Sequence, residues 1–299
     1  MINKILLTLC LLVTLVTSAS AQFTFPINHF SAPASGDDFL DSIAGLSVSA
    51  DLDATIAASY GGSGQTWSNL IASPSDGAAQ SDHDFWLGLD GDVSTDDPPF
   101  VGSAGADDAY FDLITGGDFF TVKSVSAAIT LKKAHRSDTS GTWIAIAFRP
   151  TTGVGYIWAN TNNPQHGRGV RGVHASNGDL SAHQNSPTLQ NIFMNVGATL
   201  SFNTPNLVII SWDGTSTSNN AKIWLNSATA NDTQSSTFKT DITDATNLFF
   251  IGARNLNGPD SPLFNARVYG FYYGDEYLDD TKAAAIRTHL QARHAAGRY

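Results

Sequence analysis

Glutamate is almost missing from this chain. Of its 27 acidic residues only Glu276 is a glutamate, and the other 26 are aspartates. Cysteine is equally scarce, because Cys10 is the only one. Basic residues number 16, which leaves a formal net charge of −11. Each shortage removes a class of explanation. A single cysteine excludes an internal disulfide, so a large apolar core has to hold the fold. Cys10 lies inside an N-terminal apolar run, which also removes a cysteine nucleophile from the body of the protein. The acid excess argues against nucleic acid and against anionic membrane, since both are recognised through basic patches. The one apolar run, Ile5 to Val16, is too short for an ordinary membrane span.

That run is instead expected to be part of a secretory signal over residues 1–21. Lys4 supplies the positive charge, Ile5 to Val16 the apolar segment, and Ala19-Ser20-Ala21 a small-residue cleavage site. The expected location is secreted, extracellular or at the cell surface (periplasmic if retained), with no membrane insertion after cleavage. Residues 22–45, with Ser31-Ala32-Pro33-Ala34-Ser35-Gly36, suggest an N-terminal arm or linker. Residues 46–299 are expected to form a single domain, a common size for β-sandwiches.

Within that domain many short apolar runs are separated by Gly, Ser, Asn and Asp clusters, the pattern of an all-β sandwich. Strands are expected at Leu46–Leu52, Tyr110–Leu113, Phe119–Val122, Ser126–Leu131, Thr142–Phe148, Gly155–Ala159 and Arg168–His174. Further ones are expected at Thr199–Phe202, Leu207–Trp212, Ala221–Leu225, Leu248–Ile251 and Arg267–Tyr273. In Ala221–Leu225 alternation puts Ile223 and Leu225 on one face, Lys222 and Trp224 on the other. One helix is expected, starting near Asp279, with Asp279 or Asp280 as cap, Ile286 and Leu290 on one face, and Gly297 to end it.

Familiar chemical motifs are absent. There is no Gly-x-Ser-x-Gly elbow, and Gly61-Gly62-Ser63-Gly64 has no following Lys-Ser/Thr to make it a phosphate cradle. His166, His174 and His183 lack the close spacing of zinc ligands. Arg171, His174 and Tyr156 do not fit a lyase pattern. Asn231-Asp232-Thr233 is a formal glycosylation sequon, here taken as chance. Aromatic residues beside hydrogen-bonding groups are the remaining lead, because sugars stack on flat rings. Tyr156, Trp158 and Asn160 fall on one face of a candidate strand, and Trp224 and Trp86 are further candidates. Filling the core is the competing role for each of these rings.

The C-terminal run adds a resemblance. Ile251-Gly252-Ala253-Arg254, Phe264-Asn265-Ala266-Arg267, Val268 to Tyr273 and Leu278-Asp279-Asp280 follow in order. Upstream stand Ser59-Tyr60-Gly61-Gly62-Ser63-Gly64-Gln65-Thr66-Trp67, Ala109-Tyr110-Phe111-Asp112, Gly116-Gly117-Asp118-Phe119-Phe120 and Ser211-Trp212-Asp213-Gly214. Together they resemble the laminin G-like branch of the concanavalin A-like lectin/glucanase superfamily, with Ala266 where a turn glycine is usual. The resemblance implies a two-sheet antiparallel jelly roll with a C-terminal helix. It also implies calcium as the candidate metal, held by aspartates at a loop rim. Asp90, Asp92, Asp96 and Asp118 are the candidate ligands here, although Asp90 to Asp97 departs from an EF-hand. Asp107, Asp108 and the loop Asn255–Asp260 are others.

Glucanases of that superfamily carry Glu-x-Asp-x-x-Glu on one strand, which a chain with one glutamate cannot supply. Aspartate pairs such as Asp82/Asp84, Asp90/Asp92 and Asp96/Asp97 fall in a loop-like stretch rather than on a scaffold strand. The expectation is therefore a binding module and not an enzyme. Its partner is expected to be a glycan or another cell-surface polymer, with calcium assisting. The alternative is a structural or adhesive module, of a phage virion or a bacterial surface, contacting protein in an extracellular assembly. A glycoside hydrolase or polysaccharide lyase comes third.

Overall fold

The computed structural model describes residues 38–113, 117–124, 131, 140–152, 155–159, 168–172, 179–184, 194–235, 249–253 and 265–294. Among these, sixteen strands form two antiparallel sheets, and an α-helix of 14 residues follows the last strand. The fold is a two-sheet jelly-roll sandwich, as the sequence pattern predicts.

The strands in chain order are β1 (Ala50–Asp53), β2 (Thr66–Trp67), β3 (Phe85–Leu87), β4 (Phe100–Val101), β5 (Tyr110–Asp112), β6 (Phe120–Val122), β7 (Thr142–Thr152) and β8 (Gly155–Ala159). They continue as β9 (Arg168–Gly172), β10 (Asp179–Gln184), β11 (Met194–Thr199), β12 (Asn206–Trp212), β13 (Ala221–Leu225), β14 (Asp232–Gln234), β15 (Phe250–Ile251) and β16 (Asn265–Gly274). The first sheet runs β14-β13-β12-β7-β16-β5-β4, with β1 also paired to β16. The second runs β11-β10-β9-β8-β15-β6-β3-β2.

Alternation along the strands builds two apolar layers. Ile144, Ile146 and Phe148 of β7, with Val208, Ile210 and Trp212 of β12, point between the sheets. There they meet Phe85, Phe120, Val122 and Ile251 of the second sheet. Trp67, Phe111 and Phe120 form the centre, with ring centroids 5.0 Å apart in each pair. The alternate residues Trp143, Ala145, Ala147, Leu207, Ile209 and Trp224 form a second core on the outer face of the first sheet. Helix α1 (Asp280–Arg293) covers it with Ala283, Ile286 and Leu290.

The helix start divides the two candidate caps. Asp279 accepts a hydrogen bond from Lys282 N at 2.8 Å and is the N-cap. Asp280 turns onto the sheet, where its Oδ1 accepts from Trp224 Nε1 at 2.9 Å and Ala230 N at 3.0 Å. The Ile251-Gly252 step has a steric cause as well. Gly252 has φ +87°, and a Cβ there would lie 2.4 Å from Leu113 Cδ2.

Several expectations need correction. The stretch Ser81–Pro99 contains the strand β3 as well as loop. The strand expected at Thr199–Phe202 lies earlier, at Met194–Thr199. Ser126–Leu131 lies outside the described residues except for Leu131, which is helical and buried. The end of the expected arm belongs to the sandwich, since Leu40 is fully buried and its N–H donates to Asp51 Oδ2 at 2.9 Å. Gly297 lies outside the described residues; the helix ends at Arg293 with His294 as C-cap.

Candidate functional site

Charged groups that could have been chemical are mostly fastened inside the fold. Arg293, with its side chain 4% exposed, donates through Nη1 to Asp51 Oδ1 at 2.8 Å and Asp53 Oδ2 at 3.3 Å. Its Nη2 donates to Asp51 Oδ2 at 2.7 Å. His294 Nε2 lies 3.0 Å from Asp53 Oδ2, and Thr55 Oγ1 donates to Asp53 Oδ1 at 2.6 Å. Burial alone would raise the Asp53 carboxyl. The His294 ring, then Arg293 and Thr55, override it and hold Asp53 well below the usual carboxylate range. A second buried set links His83 Nδ1 to Tyr273 Oη at 2.6 Å and His83 Nε2 to Asp76 Oδ1 at 3.2 Å. The sole glutamate is likewise occupied: Glu276 Oε1 accepts from Ser47 N at 2.6 Å, and Oε2 pairs with Lys282.

The residues expected to bind a ligand separate in the structure. Tyr156 lies in β8, Asn160 outside the described residues. A register shift between Tyr156 and Trp158 breaks the alternation that would set all three on one face. Ile157 and Trp158 consequently both enter the inter-sheet core, Trp158 with 1% exposure. Trp224 stands on the outer face, as alternation predicts, but lies beneath α1 and is also 1% exposed. Neither indole offers a face to a ligand.

The four aspartates expected at calcium are also dispersed in role. Asp90 and Asp92 are exposed, and Asp90 Oδ1 accepts from Asp92 N at 2.9 Å. Asp96 accepts from Ser94 Oγ, whereas Asp118 is buried and already engaged. Among the described residues no group of three or more His, Cys, Asp or Glu is placed to hold a metal ion.

One tryptophan differs from the rest. The chain has six, and Trp67, Trp143, Trp158, Trp212 and Trp224 are at most 3% exposed. Trp86 is half-buried. Its neighbours Phe85 and Leu87 face the core, so β3 directs the indole to the outer face of the second sheet. Cross-strand pairing sets Thr66 on one side of it and Thr121 on the other. Thr121 is 1% exposed, and its buried Oγ1 has no hydrogen-bond partner among the described residues. Lys123 Nζ stands 4.1 Å from the centroid of the indole, 3.7 Å from Asp84 Oδ2 and 3.5 Å from Thr66 Oγ1. Burial pushes the Asp84 carboxyl up, against the opposing pull of the Asn69 N–H and of Lys123. Gly91 lets the Asp90–Asp97 loop approach the indole, because a Cβ there would come within 3.3 Å of the ring. The patch thus offers an aromatic surface, an ammonium, hydroxyls and a flanking carboxylate.

No family model matches the chain. No curated protein matches it either. Solved structures do resemble it. Domain 4 of AbnA, a GH43 extracellular arabinanase from Geobacillus stearothermophilus in complex with arabinotriose, matches at TM-score 0.50 and 11% identity. The match covers 80% of this chain and 98% of that domain. A Trypanosoma rangeli sialidase matches at TM-score 0.50 and 9% identity, covering 83% of this chain but only 34% of the sialidase. At such identities the likeness establishes the fold.

Proposed function

We propose that this chain is a secreted, non-catalytic glycan-binding module whose platform is Trp86 on the outer face of the second sheet. The observation that carries the reading is the exposure of Trp86 against five buried tryptophans. Leaving one large indole part-open, beside groups that hydrogen-bond, suits a sugar ring: its C–H face stacks and its hydroxyls find polar partners. Lys123, whose ammonium covers one face of the ring, can serve as such a partner by swinging aside to donate to a sugar hydroxyl. The arabinotriose held by the arabinanase domain lends further support, since a sandwich of this shape accommodates an oligosaccharide there. The engagement of Glu276 with Lys282 and Ser47 favours binding over hydrolysis.

A glycan array on the mature protein tests the proposal, run with calcium and again with a chelator. Binding to a subset of glycans is expected, weakened about tenfold or more by Trp86→Ala, which corresponds to roughly 1.4 kcal/mol. Loss only in the chelator would add calcium to the site. Failure to bind any glycan in either condition would overturn the reading and raise that of a structural module.

A further inference from the structure

A different pair of residues stands out on the outer face of the first sheet. Arg149 of β7 and Arg267 of β16 are direct cross-strand partners. Their flanking residues fix the direction: Phe148 and Val268 are also partners and both lie in the inter-sheet core. The two side chains therefore leave the same face of the sheet from neighbouring positions. Both arginines are half-buried, and the Nε of each is buried with no hydrogen-bond partner. Among the described residues neither guanidinium has an ion pair. Arg267 lies over the Tyr110 ring, 4.6 Å from its centroid, and Tyr110 in turn contacts Tyr269.

This arrangement is costly as it stands. Like charges directly opposite across strands destabilise a sheet, and an unpaired buried N–H forfeits its hydration. The chain has 27 acidic residues with which to neutralise two arginines, yet the pairing row supplies only Asp112, one strand beyond Arg267 and itself engaged. Arg293 shows that a guanidinium on this face can be given two carboxylate partners, although its Nε also lacks a hydrogen-bond partner.

We propose that Arg149 and Arg267 form an oxyanion-binding site, distinct from the Trp86 platform, that takes a carboxylate or sulfate group carried by an acidic polymer. Each guanidinium is a planar fork of N–H donors that matches the oxygens of a carboxylate or sulfate, and two on one face can share such an anion. The anion would relieve the mutual repulsion of the arginines, and Tyr110 would hold Arg267 in place. A polymer presents many carboxylates at high local concentration and so raises the occupancy of a single site, against the repulsion that a net charge of −11 exerts on any anion.

Thermal unfolding of the whole protein provides the test, with sodium sulfate, glucuronate and an oligouronate as probes against sodium chloride at matched ionic strength. A midpoint rise of about 3 °C at anion concentrations near tenfold over the dissociation constant is expected for the wild type. The rise should vanish in Arg149→Gln, and Arg149→Lys should restore only part of it. A greater response to the oligouronate than to glucuronate, per carboxylate, identifies the polymer as the source; an equal response with sulfate active overturns the polymer assignment. Should Arg267→Gln fail to fold, Arg149→Gln still decides, since among the described residues Arg149 makes no aromatic contact. Equal responses from wild type and Arg149→Gln, or none from either, would overturn the site.

Discussion

Along the outer face of the first sheet, two groups of arginine meet very different surroundings. Beside β1, Arg293 reaches both carboxylates of Asp51 and Asp53, and His294, Thr55 and Tyr272 complete the set. Further along β16, Arg267 and Arg149 stand next to each other with unpaired Nε atoms. Burial alone does not separate the two cases, because every residue involved is at least half-buried. Nor do the Nε atoms, which lack a partner in all three arginines; what separates them is ion pairing, since Arg293 meets two carboxylates and the other two meet none among the described residues. The first group ties the end of α1, the N-terminal segment and the sheet into one unit, since Arg293 Nη2 also donates to Asp38 O at 2.8 Å. In the second, the Arg267 contact with the Tyr110 ring is the one side-chain interaction seen among the described residues. A charge that is ion-paired is committed to the fold, whereas one left without a counter-charge is available to a ligand.

Breaking the paired group should have the largest effect. Arg293→Met leaves Asp51 without its guanidinium partner and Asp53 with His294 alone, both carboxylates being fully buried. Removing one partner of a buried ion pair costs about 3–5 kcal/mol. Urea unfolding should therefore show a loss of that order, and a loss below about 1 kcal/mol would mean that the pairing is not what holds the helix end.

The same group fixes the response to acid. Asp53 is held well below the ordinary carboxylate value of about 3.9 that it regains on unfolding. The unfolded chain therefore binds a proton at this site before the folded chain does, as the pH falls. The contribution of Asp53 is present above about pH 4 and is lost progressively below it. Stability measured against pH from neutrality downward should fall off in the wild type. Asp53→Asn should be less stable at neutrality but show a shallower acid slope. Parallel slopes would remove Asp53 from the account.

The fold was legible in the sequence where the period was long enough to read. Ala221–Leu225 appears with the bounds expected, and its faces are as alternation assigns them. Asp279 was legible as a cap from its position ahead of an apolar stripe. Strands β2, β3 and β4 were not, because each is two or three residues inside sequence that reads as turn or loop, whereas the equally short β5, β6 and β15 sit in apolar runs. Candidate ligand residues failed for two further reasons. A register shift between Tyr156 and Trp158 broke the alternation along β8, and the cover that α1 places on Trp224 comes from residues far along the chain. Trp86 was visible as a candidate, yet only the burial of the five other tryptophans distinguishes it. The pairing of Arg149 with Arg267 depends on the register of β7 with β16, which no local pattern encodes.

The smallest expected effect is also the sharpest test of the comparison. If Arg149 and Arg267 repel across the strand pair, then removing one charge should relieve the sheet rather than weaken it. Arg149→Gln, measured in dilute buffer free of multivalent anions, should leave stability unchanged or raise it by about 0.2–1 kcal/mol, the usual range for cross-strand pairs. Added sodium chloride should shrink that gain, because screening weakens the repulsion in the wild type as well. Arg293→Met should show no comparable relief under any salt condition, since its partners carry the opposite sign. A loss on Arg149→Gln in dilute buffer as large as that for Arg293→Met would mean that the two arginine groups serve the fold alike, and the distinction between paired and open charge would fail.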